Sequence, residues 1–120
     1  MRGEIINIID QKVWRLNPRY FSYTLSKSAF WTATQTMAQA YAPRIRVNAV
    51  GPGPVLPNHV EGVDGFQKEA AAVPLGSSVD PQEIADAVIY LVHARSVTGQ
   101  MIAVDGGQHL AWQTPDVLDH

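Results

Sequence analysis

The chain has 120 residues, with 9 Lys+Arg against 11 Asp+Glu, 4 His and no Cys. That length suits one domain, and a formal charge of -2 argues against a polybasic nucleic-acid binder, because counterion release needs a surplus of cations on one face. Without cysteine there is no disulfide framework, thiolate zinc site or cysteine nucleophile. No apolar run approaches the ~18 residues that a membrane helix needs. Met1-Arg2-Gly3-Glu4 and the short apolar stretch after it do not read as a signal peptide, so the cytoplasm is the expected location.

Ile5, Ile6, Ile8 and Ile9 form a β-branched run broken only by Asn7, as in a strand covered on both faces of a parallel sheet. It stops at Asp10. Asn17-Pro18 then keeps the chain out of the helical region, so a helix is predicted to begin near Arg19 to Ser22. From there to Ala42 no Gly or Pro intervenes. Ala29, Phe30, Ala33, Met37, Ala40 and Tyr41 recur at helical steps as one apolar face, and Pro43 ends the helix.

Polar and apolar residues alternate from Arg44 to Val50, which predicts a strand ending at Gly51. Residues 52–79 read as a lid-like loop with one short helix, Phe66 to Ala72. Val55, Leu56, Val60, Val63, Phe66, Val73 and Leu75 imply that this loop packs on something. The next helix is well marked: Asp80 caps it, Pro81 opens it and Glu83 completes a capping box, with Val79 and Ile84 spaced as a staple. Its buried stripe is Ile84, Ala87, Val88, Leu91 and Val92. Thr98-Gly99 turns into a last strand, Gln100 to Asp105, which Gly106-Gly107 ends, and a polar tail holding Trp112 follows.

Strands alternating with helices define an α/β class with parallel, right-handed crossovers. Three strands make a thin sheet, and the first is too apolar for an exposed edge. The chain reads as one partial domain over residues 1–120, half of a doubly wound fold.

Ligands of open α/β sheets bind at the carboxyl ends of the strands, which here means Asp10, Gly51 to Pro57 and Gly106-Gly107. Tyr23 and Lys27 lie one helical turn apart, with about 5–6 Å between their Cβ atoms. A phenol of pKa near ~10 is a poor neutral-pH acid. A nearby ammonium and the helix dipole both lower that value, so the pair is a chemically sensible proton donor to a carbonyl or imine. Taken alone, such a pair is more often a lysine stem packed over a tyrosine.

Three motifs occur together: Tyr23-Thr24-Leu25-Ser26-Lys27, Asn48-Ala49-Val50-Gly51-Pro52-Gly53, and Thr98-Gly99-Gln100 with Val104-Asp105-Gly106-Gly107. This ordered set resembles the C-terminal half of the short-chain dehydrogenase/reductase family, over essentially the whole chain. The resemblance implies a Rossmann-type domain and hydride transfer from NADP or NAD, with NADPH favoured. In that family Tyr23 would donate the proton and Lys27 would hold the nicotinamide ribose. Pro52, Gly53 and Val55 would lie against the nicotinamide, with the Val55 backbone reaching its carboxamide.

Where the family usually has a serine, Asp10 stands, 13 positions before Tyr23. That substitution resembles the pteridine reductase and dihydromonapterin reductase branch. A carboxylate can accept from the amino and ring N–H groups of a pterin and orient the tyrosine; Asp10 is also a turn residue by type, and the neighbouring motifs favour the functional reading. Leu56 and Phe66 are candidate substrate-lid residues, and a packed loop core accounts for them equally. Pro57 occupies a position where relatives often carry a threonine.

The family's glycine-rich pyrophosphate turn has no match here, so the dinucleotide-binding half is expected to be missing. His59, His93, His109 and His120 lack ligand spacing, read as surface or loop residues, and predict no metal. Trp14, Trp31 and Trp112 read as core or interface anchors. The leading expectation is therefore a reductase fragment acting on a small molecule, homo-oligomeric (dimer or tetramer) in full length, with neither nucleic-acid nor membrane partners. The competing one is a non-catalytic remnant or oligomerisation fragment, unable to bind a dinucleotide by itself.

Overall fold

The computed structural model describes residues 2–55 and 62–118. Strands β1 (Gly3–Ile8), β2 (Ile45–Pro52) and β3 (Met101–Val104) form one parallel sheet in the order β1-β2-β3. Helix α1 (Phe21–Tyr41) links β1 to β2. Helices α2 (Gly62–Ala72) and α3 (Pro81–His93) lie between β2 and β3, and α4 (Pro115–Leu118) sits in the tail. Parallel neighbours need long crossovers, and these helical connections supply them.

Side chains of β2 alternate between two covered faces. Ala49 packs with Ile9 and Met101 in a core that Phe30 and Trp31 of α1 also join. Residues of the opposite parity turn to α3. Arg46 donates to the carbonyls of Leu91 and Val92, both at 2.9 Å, and Asn48 donates to Val97 at 2.8 Å. So the alternation in this segment is not that of a half-exposed strand, because Val47 to Gly51 are all buried. Its polar members go inward and satisfy backbone groups of the next crossover.

Helix α1 buries a different stripe from the apolar one. Thr24, Thr34 and Ala38 are buried, Phe30, Ala33 and Met37 are half-buried, and Ala29, Ala40 and Tyr41 are exposed. At Thr34 the reason lies in hydrogen bonding, whereas the buried Thr24 hydroxyl has no partner among the described residues. Thr34 donates to the Phe30 carbonyl and accepts from Asn7 of β1, both at 2.9 Å, so a satisfied hydroxyl takes the centre of the contact.

The capping box of α3 is present, with Asp80 accepting from Gln82 and the Asp80 amide donating to Glu83. Leu91 is fully buried and Ile84, Ala87 and Val88 are half-buried, whereas Val92 is exposed like Ile89 and Tyr90. Between β2 and α3, helix α2 begins four residues before the predicted Phe66. Ala70, Val73 and Val79 are buried there, while Val63 and Leu75 are exposed. Gly106 (φ +64) permits this packing, since a Cβ there would lie 2.8 Å from a Val73 methyl. β1 is an edge strand and is only half-buried, with Ile8 44% exposed, rather than covered on both faces.

Asn48 is wholly buried, accepts from the Gln100 amide at 3.0 Å and donates to the Val97 carbonyl. Asn48→Ala strands the Gln100 amide and leaves the Val97 carbonyl only its 3.3 Å bond from Arg46, and is expected to cost about 1–3 kcal/mol. A urea titration reads this as a lowered midpoint at constant slope, and an unchanged midpoint would show that the two groups find other partners.

Candidate functional site

Asp10 follows β1 and caps a 3-10 turn over Gln11–Val13. One carboxylate oxygen accepts from the Lys12 amide at 2.9 Å. The other accepts from the Tyr23 hydroxyl, also at 2.9 Å. Asp10 is thus both a turn residue and a partner of the phenol, each oxygen serving one role. The Lys12 ammonium stands 3.9 Å from the second oxygen.

Tyr23 lies in the first turn of α1, whose cap Tyr20 adopts a left-handed backbone (φ 56). Lys27 sits one turn later and donates from Nζ to the Ile8 carbonyl at 3.2 Å, which ties it to the end of β1. Its ammonium is 5.7 Å from the centre of the Tyr23 ring, and the Lys12 ammonium is 5.8 Å away. Asp10, Tyr23 and Lys27 therefore meet at the carboxyl end of one strand. Lys12, which sequence reasoning missed, joins them through a turn that only the fold reveals.

The expected depression of the Tyr23 pKa is not what this geometry produces. Burial pushes the phenol well above its ordinary value, and the charge of Asp10 and the Tyr23–Asp10 hydrogen bond act in the same direction. Lys27 lies over the ring and bonds to a backbone carbonyl, so it does not reverse these effects.

At the end of β2, Gly53 donates to Val104 and the Pro54 carbonyl accepts from Val79, both at 3.0 Å. Glycine is required at 53, since a Cβ would lie 2.5 Å from Asp105 Cα. Pro52 and Pro54 have no N–H. Among the described residues, that leaves the Val55 amide as the first donor of this turn without a partner. Leu56 and the Phe66 side chain lie outside the described residues, as do His59 and His120.

His109 is not a free surface residue. Its Nδ1 is 2.7 Å from the buried Asp105 carboxylate, and its ring contacts Trp14, which in turn packs edge-on against Trp31. The Val-Asp-Gly-Gly motif gave no hint of this, because the partner lies beyond it in the tail. Gln11 is buried beside Asp10, and its side-chain oxygen has no partner among the described residues. No group of three potential metal ligands occurs among the described residues, and no helix there is long and apolar enough to cross a membrane.

A family model described as enoyl-(acyl carrier protein) reductase matches residues 1–109. The chain is 36% identical over 110 residues to dihydromonapterin reductase of Klebsiella pneumoniae, covering 90% of this chain and 45% of that protein. It is equally 36% identical, over 111 residues, to carbonyl reductase family member 4 of Danio rerio, covering 90% of this chain and 46% of that protein. Among solved structures it is similar to FolM alternative dihydrofolate reductase 1 of Brucella suis in complex with NADP. There the TM-score is 0.93 at 56% identity, over 98% of this chain and 47% of that one. A ligand-free aldohexose dehydrogenase of Thermoplasma acidophilum gives a TM-score of 0.82 at 26% identity, over 96% of this chain and 51% of that one. The chain thus spans about half the length of the relatives it matches.

Tyr23 is expected to ionise above the ordinary tyrosine value of about 10. The phenolate absorbance of wild type minus Tyr23→Phe isolates this one group. Asp10→Asn should lower the value only part of the way, since burial, the largest cause, remains. The folded state keeps a proton that the unfolded state loses, so the associated stability is complete below the unfolded pKa. It then drains away as pH rises toward the folded one. An apparent pKa for Tyr23 at or below the ordinary value would contradict the geometry.

Proposed function

Because the chain belongs to the short-chain dehydrogenase/reductase family, we propose that it forms the proton-delivering and substrate-facing half of an NADPH-dependent reductase. Its substrate is a small heterocyclic imine or carbonyl of the pterin type. The observation that carries this reading is the 2.9 Å bond from the Tyr23 hydroxyl to Asp10, with two ammonium groups against the same ring. The relatives named for dihydromonapterin and dihydrofolate reduction support the substrate class.

The residues fit the nicotinamide end of the cofactor. Lys27 and Tyr23 offer a donor pair for ribose hydroxyls, and the Val55 amide offers a donor for the carboxamide. The pyrophosphate end has no counterpart, since no glycine-rich turn of the family kind occurs in this sequence. When bound, the reduced nicotinamide supplies a hydride. Tyr23 gives its hydroxyl proton to the substrate heteroatom that takes up the electron pair, so hydride and proton together saturate one double bond. The phenol is protonated beforehand, as a tyrosine with an ordinary pKa of about 10 already is at neutral pH, and the ammonium groups of Lys12 and Lys27 stabilise the phenolate left behind. Asp10 orients the hydroxyl and accepts N–H groups of the substrate.

The free edge of β1 supports a larger sheet in the working enzyme, because an apolar edge strand invites another. Exposed Phe21 and Leu25 on α1, and Trp112 in the tail, support a homo-oligomer.

Alone, the chain is expected to enhance nicotinamide fluorescence little. Mixed with the dinucleotide-binding half of the Brucella suis relative, it should bind NADPH and reduce a dihydropterin. In that assembly Tyr23→Phe should cut turnover about 10²–10⁴-fold while NADPH binding persists, and undiminished turnover would end the proton-donor assignment. Asp10→Ser should impair dihydropterin reduction more than reduction of a simple ketone, and equal losses would remove the argument for a pterin.

A further inference from the structure

An open cleft of about 730 Å³ lies between the β1–α1 connection and helix α2. Lys12, Arg15 and Arg19 line it from the connection and Lys68 from α2, against Asp64 as the one carboxylate among the lining residues. With Lys12 paired to Asp10, three cations stand against one anion in the lining, a local excess in a chain whose formal charge is -2. Arg15, Arg19 and Lys68 make no ion pair among the described residues. Asp64 and Lys68 stand one turn apart on α2, a spacing that favours pairing, yet they do not form a bridge.

The cleft also adjoins the site. Lys12 belongs to both, lining the cleft and reaching Asp10 at 3.9 Å. The strand-end turn Pro52 to Val55 and Lys27, which would face the nicotinamide, are absent from its lining. Arg15, Arg19 and Lys68, unpaired among the described residues, make a concave cationic surface that attracts an anion, and guanidinium groups suit planar carboxylates in particular.

We propose that this cleft is an anion subsite for the substrate, which receives a carboxylate-bearing side chain of the heterocycle whose ring lies at Tyr23. The inference rests on the reductase reading for the position of that ring. It separates two substrate types: a dihydropterin with a hydroxylated side chain brings no charge to these residues, whereas the p-aminobenzoylglutamate portion of dihydrofolate brings two carboxylates.

Backbone-amide NMR on the 120-residue chain tests this with the tail alone, so the outcome does not depend on turnover or on Tyr23. p-Aminobenzoylglutamate should shift the amides of Lys12, Arg15, Arg19 and Lys68 with a Kd on the order of 1 mM. Uncharged p-aminobenzamide should not shift them, and raised salt should weaken the effect. Arg15→Gln with Arg19→Gln, both exposed positions, should weaken binding about tenfold with the spectrum otherwise intact. Absent shifts, equal shifts with p-aminobenzamide, or unchanged affinity in the double variant would overturn the subsite. So would tighter binding of 2′,5′-ADP at the same amides, which would assign the cations to a dinucleotide phosphate. The reductase reading stands or falls separately, on Tyr23→Phe.

Discussion

The hydrogen bond from Tyr23 to Asp10 joins the end of a strand to the start of a helix, and the rest of the site is arranged around it. Asp10 is held by its turn, since one oxygen is already committed to the Lys12 amide. Tyr23 is held by α1, which is anchored on the sheet through Thr34, Asn7 and the Phe30–Trp31 core. Neither side chain is therefore free to search for the other. The cost of ordering them is met by packing that exists for the fold. Lys27 is fixed in the same way, by the Ile8 carbonyl at the end of β1.

The electrostatics of the phenol are a contest between one carboxylate and two ammonium groups. Burial and Asp10 win, and the tyrosine stays protonated. For a donor this is the required starting state. The balance changes if a substrate engages Asp10 with its own N–H groups, because the carboxylate then spends its charge on the substrate while the ammonium groups remain beside the ring. A substrate that satisfies Asp10 would make Tyr23 a better acid. In the proposed reaction an aspartate here would favour substrates rich in N–H donors, whereas a serine in its place would carry no such charge to be masked.

Much of the fold was legible in the sequence because its signals are local. Asp80, Pro81 and Glu83 mark α3 through contacts within one turn, and the structure forms those bonds. Tyr23 and Lys27 share a helix face for the same reason. Other features depend on tertiary partners. Thr34 replaces an apolar residue at the centre of the α1 contact because Asn7, distant in sequence, answers its hydroxyl. Arg46 and Asn48 point inward because the α3 terminus and the Val97 turn need donors. Lys12 meets Tyr23 across the β1–α1 connection, and His109 meets Asp105 by a turn in the tail. Periodicity cannot register any of these, since each exchanges hydrophobicity for a matched hydrogen bond or a contact set by topology.

The site lies at the edge of the sheet, and the contacts that hold Asp10, Tyr23 and Lys27 together all come from within this chain. β1 is bonded to β2 on one side and has no strand on the other among the described residues. In a doubly wound sheet the crevice opens where the strand order reverses, at the carboxyl ends of adjoining strands. Asp10 stands at that end of the edge strand, with Tyr23 and Lys27 over it and the Gly53 turn at the end of the neighbouring one. A strand added beside β1 would form the second wall of this crevice without displacing any group already in place. In the proposed reductase the proton-delivering groups are thus held by contacts inside this chain, and a strand beside β1 would bring donors for the rest of the dinucleotide, so that completing the sheet would also complete the site.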